Sequence, residues 1–272
     1  MVRIYRPDGD VDTKLTRLAD PLSSWHGVRI AVLDNGKPNA VVVMTRVAEA
    51  VAERTGARVS VVVKKGPGGR SANAAVPCAP DVFERVRAEA DVVITGAADC
   101  GSCTAYSVHD TVELERRGIP TVLLTTTKFR PVVAALAAAT GLPGIRTLVV
   151  DHPIGGIDRE TLHRRADAAC DALIAHYTSA AAAPIATTSA ASAPSHDALD
   201  ELRSLVAADG ADFETVEFDG AAGTMRLRLL IPDAHCAECV MPRAALESIA
   251  ATRLARHGVH TVVIDDPREA AR

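Results

Sequence analysis

The sequence predicts a mostly parallel α/β sheet with helices on both faces, followed by a small α+β unit. Two observations carry this. Short, almost purely apolar runs alternate with helix-length segments through residue 177, and strands of that kind belong to a sheet covered on both sides. The run TSAAAAPIATTSAASAPS at 178–195 then has no periodicity and reads as a flexible linker, after which the pattern changes.

The first strand is expected at 28–33, VRIAVL, ending in Asp34-Asn35-Gly36. Pro38 suits a first helical position, and 39–55 carry a helical pattern up to Gly56. A second strand follows at 58–63 and a helix at 80–90. A third strand spans 92–95, then the loop Cys100-Gly101-Ser102-Cys103 and a helix from about 104 to 117. Strands at 121–124 and 147–150 and helices at 130–140 and 158–177 complete the series. Five such units imply a flavodoxin-like order. Beyond the linker, a helix at 197–208, a hairpin of 213–218 and 224–230, Cys236-Ala237-Glu238-Cys239, a helix near 243–256 and a strand at 260–264 form an α-β-β-α-β unit. The expected division is an N-terminal arm at 1–24, the α/β unit at 25–177, the linker at 178–195 and the second unit at 196–272.

Hydrophobic residues make up 48% of the 272, but aromatics only 3%, so the core must be built from small side chains. The formal net charge is −4 with no Lys/Arg block and few aromatics for stacking, which argues against a nucleic-acid partner. The N-terminus lacks the apolar region of a signal peptide and no run is long enough to span a bilayer. The expectation is a cytoplasmic protein without membrane contact.

In such a setting the six cysteines are not a disulfide scaffold. Four fall in two C-x-x-C pairs, which points to redox or metal chemistry. In parallel sheets ligands bind outside the carboxyl ends of the strands. Those ends carry Asp34, Asn35 and Lys37, then Lys64 and Lys65, then Asp99 to Cys103, then Thr125 to Lys128, then His152. A helix N-terminus after Cys100 favours thiolate, and the spacing lets Cys103 resolve an adduct on Cys100. Asp99 and His152 are the candidate acid/base groups. Asp34, Asn35, Lys37, Lys65, Ser102 and Thr126 are the candidate substrate contacts, with Lys37, Lys65 or Arg70 holding an anionic part. Buried structural cysteines, or a four-cysteine zinc site across the linker, are the alternatives.

The stretch DVVITGAADCGSCTAYSVHDTVELERRGIPTVLLTTT at 91–127, with LDNGKPN at 33–39 and DHP at 151–153, resembles the UGSC family. That family is named for a Sec-Gly-Ser-Cys motif in which cysteine often replaces selenocysteine. The resemblance places Cys100 at the selenocysteine position and Cys103 at the second cysteine, and so implies Cys100 as the attacking atom. More distantly, the layout resembles the Asp/Glu racemase and maleate isomerase group, which implies a cofactor-free lyase or isomerase of a small carboxylic acid as a second reading. The order LRSLVAADGADFETVEFDG followed by CAECVMP resembles the NifU-like domain, whose two cysteines carry an iron–sulfur cluster shared between chains. It departs in Val240-Met241 before Pro242, where proline usually comes sooner. Cys236 and Cys239 are accordingly expected as a cluster or zinc site, or as a swinging dithiol for Cys100; a scaffold for iron–sulfur or metal is the third reading. The expected partners are a small anionic substrate, a thiol reductant or redox partner, and a second copy in a homo-oligomer.

Overall fold

The chain forms two packed units in a computed structural model that describes residues 17–178, 196–220, 222–232 and 236–269. The first unit alternates β1 (Arg29–Asp34), α1 (Ala40–Thr55), β2 (Arg58–Lys64), α2 (Pro80–Glu89), β3 (Val92–Ala98), α3 (Gly101–Arg116), β4 (Thr121–Thr126), α4 (Arg130–Ala139), β5 (Arg146–Val150) and α5 (Arg159–Thr178). Its strands are all parallel in the order β2-β1-β3-β4-β5, the flavodoxin-like order. The central strand β3 is buried at every position, as a sheet covered on both faces requires.

One face packs under α1 and α5. There Val43, Met44, Val47, Leu162 and Ala166 meet Ile30, Val32, Val122 and Leu124. The other face carries α2, α3 and α4. The described part of the N-terminal arm is tied down by polar contacts: Ala19 N–H donates to Glu115 at 2.6 Å and its carbonyl accepts from Arg146 at 2.7 Å. Glu115 and Arg146 are themselves paired at 2.8 Å. Trp25, 5% exposed, packs in the α1/α5 cluster.

The second unit runs α6 (His196–Ala207), β6 (Asp212–Asp219), β7 (Thr224–Leu230), α7 (Arg243–Leu254) and β8 (Thr261–Asp265). β6 and β7 form the expected hairpin, and β8 joins β7 in parallel, giving a three-stranded mixed sheet. A short 3-10 turn, Ala237–Cys239, carries the second cysteine pair. This unit lies on α3 and α4. Val108, Val112, Val132 and Leu136 share one apolar cluster with Leu202, Val206, Met241, Leu246 and Ile249.

Two boundaries differ from expectation around the motif. β3 continues past Thr95 to Ala98, and α3 begins at Gly101 rather than near Thr104. The small residues Gly96, Ala97 and Ala98 carry too little apolar signal to read as strand, and sulfur atoms cap the helix three residues early. Of the expected linker, Thr178 ends α5; residues 179–195 and 1–16 lie outside the described residues. No helix among the described residues is long and apolar enough to cross a membrane.

Candidate functional site around Cys100

Cys100 is the N-cap of α3, with extended backbone angles. The first turn of a helix leaves backbone N–H groups without partners. Here sulfurs take them. Cys100 Sγ accepts from Cys103 N–H at 3.4 Å, and Cys103 Sγ accepts from Cys100 N–H at 2.9 Å and Asp99 N–H at 3.3 Å. The motif is thus a capping box written in cysteine. The same geometry brings the two sulfurs to 2.8 Å.

The pair divides one proton unequally. The Cys103 hydrogen bond, opposed by burial and aided by the Cys103 N–H and the charge of Lys37, brings the Cys100 thiol down to about 5. Burial, then the bond to Cys100, pushes Cys103 well up. At neutral pH the pair is a thiolate at Cys100 facing a thiol at Cys103. Burial alone would lower the Lys37 ammonium, but the charges of Cys100, Cys103, Cys239 and Asp99 outweigh it and raise it. Lys37 therefore stays cationic beside the sulfurs. Ser102 Oγ lies 3.7 Å from Cys100 Sγ.

Asp34 and Asn35 are buried at the end of β1 and shape the turn that presents Lys37. Asp34 accepts from Gly36 N–H at 2.8 Å and Asn35 Oδ1 from Lys37 N–H at 3.2 Å. Asn35 Nδ2 also donates to Ala97 O at 2.9 Å and Ser107 Oγ at 3.1 Å, joining β1 to β3 and α3. Burial raises the Asp34 carboxyl.

His152 Nδ1 sits 2.8 Å from Asp99 Oδ1 and 3.1 Å from Thr126 Oγ1. Asp99 Oδ1 is buried without a hydrogen bond of good geometry, so the imidazole is its near neighbour but not its satisfied partner. Asn39 Nδ2 fixes the loop after His152 by donating to the carbonyls of Ile154 at 2.8 Å and Ile157 at 3.0 Å.

Lys65 is placed elsewhere. It is 1% exposed and pairs at 3.0 Å with Asp110, itself 1% exposed. Asp110 also accepts from Cys78 N–H at 2.8 Å. Lys65 thus holds a loop against α3, while Lys64 and Arg70 remain exposed. His109 faces solvent.

The second unit closes over the motif. Asp209 accepts from Gly101 N–H at 3.1 and 3.2 Å, and Lys128 Nζ donates to Ala208 O at 2.8 Å. A Cβ on Gly101 would lie 2.3 Å from Asp209 Oδ2, 2.8 Å from Met241 N and 3.0 Å from Cys239 O. Burial pushes the Asp209 carboxyl up to about 7, against the Gly101 bond and aided by the charge of Cys100. Lys128, expected in the ring at the strand ends, reaches across to the second unit, whereas Asp209 is a site neighbour that the residue pattern did not single out. The only signal was the Ala208-Asp209-Gly210 turn, read as part of a family pattern rather than as a contact.

Cys236 is exposed and Cys239 half-buried. Burial, then the bond to Cys236, then the charge of Cys100 push Cys239 up to about 12. The two thiols supply half of a four-ligand site, and among the described residues no group of three or more His, Cys, Asp or Glu converges to hold a metal ion.

Compared with known families, residues 3–179 match the family model described as the UGSC family. No curated protein matches the chain.

Proposed function

The chain belongs to the UGSC family, and from that premise we propose that it is an enzyme in which the Cys100 thiolate attacks a small electrophilic or oxidised substrate. The observation that carries this reading is the unequal pair: a thiolate at a helix N-cap, 2.8 Å from a thiol that stays protonated. With an oxidised substrate R–S–X, attack by Cys100 Sγ forms the Cys100–S–S–R bond and releases X as an anion. Cys103 then loses its proton and attacks Cys100 Sγ, which releases the thiolate of R and closes the Cys100–Cys103 disulfide. Two electrons pass from the pair to the substrate, and a thiol reductant restores the pair. Lys37 is assigned to the anionic part of the substrate. His152, between Asp99 and Thr126, is assigned to proton transfer.

The unequal pair also offers a base and an acid, which favours the second reading, a cofactor-free isomerase or lyase of a small carboxylic acid. The 2.8 Å separation argues for the first, because the two sulfurs lie together rather than on opposite faces of a bound carbon.

The order of α6, β6, β7, cysteine turn, α7 and β8 supports reading the second unit as NifU-like. An iron–sulfur cluster or zinc at Cys236 and Cys239 needs ligands from beyond these two, for which a second copy of the chain is the proposed source. The chemistry proposed here runs through thiols alone.

Trapping tests the reading. Iodoacetamide below neutral pH should label Cys100 first. Cys100→Ser should abolish turnover and adduct formation. Cys103→Ser should leave a substrate-derived mass on Cys100 by intact-mass spectrometry. Labelling at Cys103 first, with an active Cys100→Ser protein, would overturn it. A turnover that never produces a Cys100–Cys103 disulfide would favour the isomerase reading.

A further inference from the structure

We infer that Cys236 and Cys239 form an internal dithiol that reduces the Cys100–Cys103 disulfide through a Cys100–Cys239 mixed disulfide. The inference rests on the Cys100 reading above and supplies its reductant.

Access is the first argument. Cys100 is 6% exposed and Cys103 fully buried, so a protein reductant cannot bring its own sulfur to either. Cys236 is exposed and Cys239 is half-buried. The outer pair is thus open to a protein dithiol in a way the inner pair is not.

Proximity is the second. Cys239 packs against the apolar cluster that contains Cys100 and Cys103. Its carbonyl is 3.0 Å from the place a Cβ on Gly101 would take, so the absence of a side chain there lets the cysteine turn lie against the motif. The turn is also fixed in place. Arg268 donates to the carbonyls of Ala237 at 3.0 Å, Val240 at 2.8 Å and Met241 at 2.8 Å, and is itself held by Asp266.

The exchange balances within the chain. Cys239 loses its proton and its sulfur attacks Cys100 Sγ. The Cys100–Cys103 bond breaks, Cys103 leaves as thiolate and takes up a proton, and Cys100–Cys239 forms. Cys236 then loses its proton and attacks Cys239 Sγ, and Cys100 leaves as thiolate. Two electrons have moved from the outer pair to the inner one. The resulting Cys236–Cys239 disulfide is at the surface, open to a protein dithiol.

The full chain carrying Cys103→Ser and Cys236→Ser, oxidised with diamide and digested without reductant, should yield a peptide pair joined through Cys100 and Cys239. Separately, reduction of the Cys100–Cys103 disulfide by thioredoxin with its reductase and NADPH should be at least about tenfold slower in Cys236→Ser/Cys239→Ser than in the unaltered chain, with tris(2-carboxyethyl)phosphine reducing both. The alanine versions of these variants serve as a second set, with circular dichroism as the check on folding. A Cys100–Cys103 disulfide that forms but is reduced by thioredoxin equally in both proteins, or no Cys100–Cys239 pair, overturns the relay and leaves the Cys100 reading standing. Failure of any protein to form the Cys100–Cys103 disulfide overturns the relay together with that thiol-exchange reading.

Discussion

Asp209 accepts the Gly101 N–H at 3.1 Å, so a carboxylate from the second unit occupies the first free donor of the helix that Cys100 caps. Acid and thiolate are thereby neighbours at one helix terminus, drawn by its dipole and repelled by each other. The contact couples the docking of the second unit to the charge on Cys100.

That coupling gives docking a pH dependence. Released into water, Asp209 titrates near 3.8; docked, it titrates at about 7, because burial and the Cys100 charge outweigh the Gly101 bond. Between these values the docked form holds a proton that the free form has lost, so docking is favoured at low pH and weakens as pH rises from about 4 to about 7. Hydrogen exchange of a peptide covering residues 100–104, corrected for intrinsic rates, should show less protection across that window. Asp209→Asn keeps an acceptor without a charge and should flatten the slope. An unchanged slope in that variant would count against the assignment.

A second dependence belongs to Cys100 itself. Its alkylation rate should rise through about pH 5 and then level. The Cys103 hydrogen bond is the largest cause of that low value, and Lys37 a smaller one. Cys103→Ala should therefore move the midpoint further toward the ordinary thiol range than Lys37→Gln does. Ultraviolet thiolate absorbance checks the order of the two.

The sheet was legible in the sequence because strands covered on both faces must be largely apolar, and the runs at 92–95, 121–124 and 147–150 are, with Arg29, Arg58 and Ser60 breaking only the first two runs. The motif's place was legible for a related reason: a C-x-x-C between an apolar strand and a periodic segment has to fall at strand ends. What local pattern does not carry is who meets whom across the chain. Asp209 reaches Gly101 over 108 residues, and Lys65 reaches Asp110 over 45. Lys65 looks like Lys37 in sequence, a lysine just past a strand. Packing against α3 gives one of them a buried partner and leaves the other beside two sulfurs.

The Lys65–Asp110 pair predicts a loss of stability. Both groups are 1% exposed. Asp110→Ala leaves an uncompensated ammonium in the core and should cost about 3–5 kcal/mol in urea denaturation. Lys65→Met with Asp110→Leu removes both charges and should cost less than the single change. The Cys100 alkylation profile should not move in any of these folded variants; a shift would place Lys65 among the groups acting on the thiolate.

Gly101→Ala separates docking from folding. Gly101 is the first residue of α3 and carries no left-handed angle, so the helix accepts alanine and gains up to about 1 kcal/mol in intrinsic preference. The obstruction comes from the other unit. The new methyl would sit 2.3 Å from Asp209 Oδ2, 2.8 Å from Met241 N and 3.0 Å from Cys239 O. The Asp209 side chain can turn away, but the two backbone atoms move only if the cysteine turn moves, and Arg268 holds that turn to its own unit. The expected result is a second unit displaced as a body over an intact parallel sheet. Thermal unfolding of the α/β unit should stay level or rise. Cys100 and Cys239 should both be alkylated faster, and the Cys100–Cys239 cross-link should fall. Gly101→Ala with unchanged labelling of both cysteines would mean that the second unit does not rest on the motif.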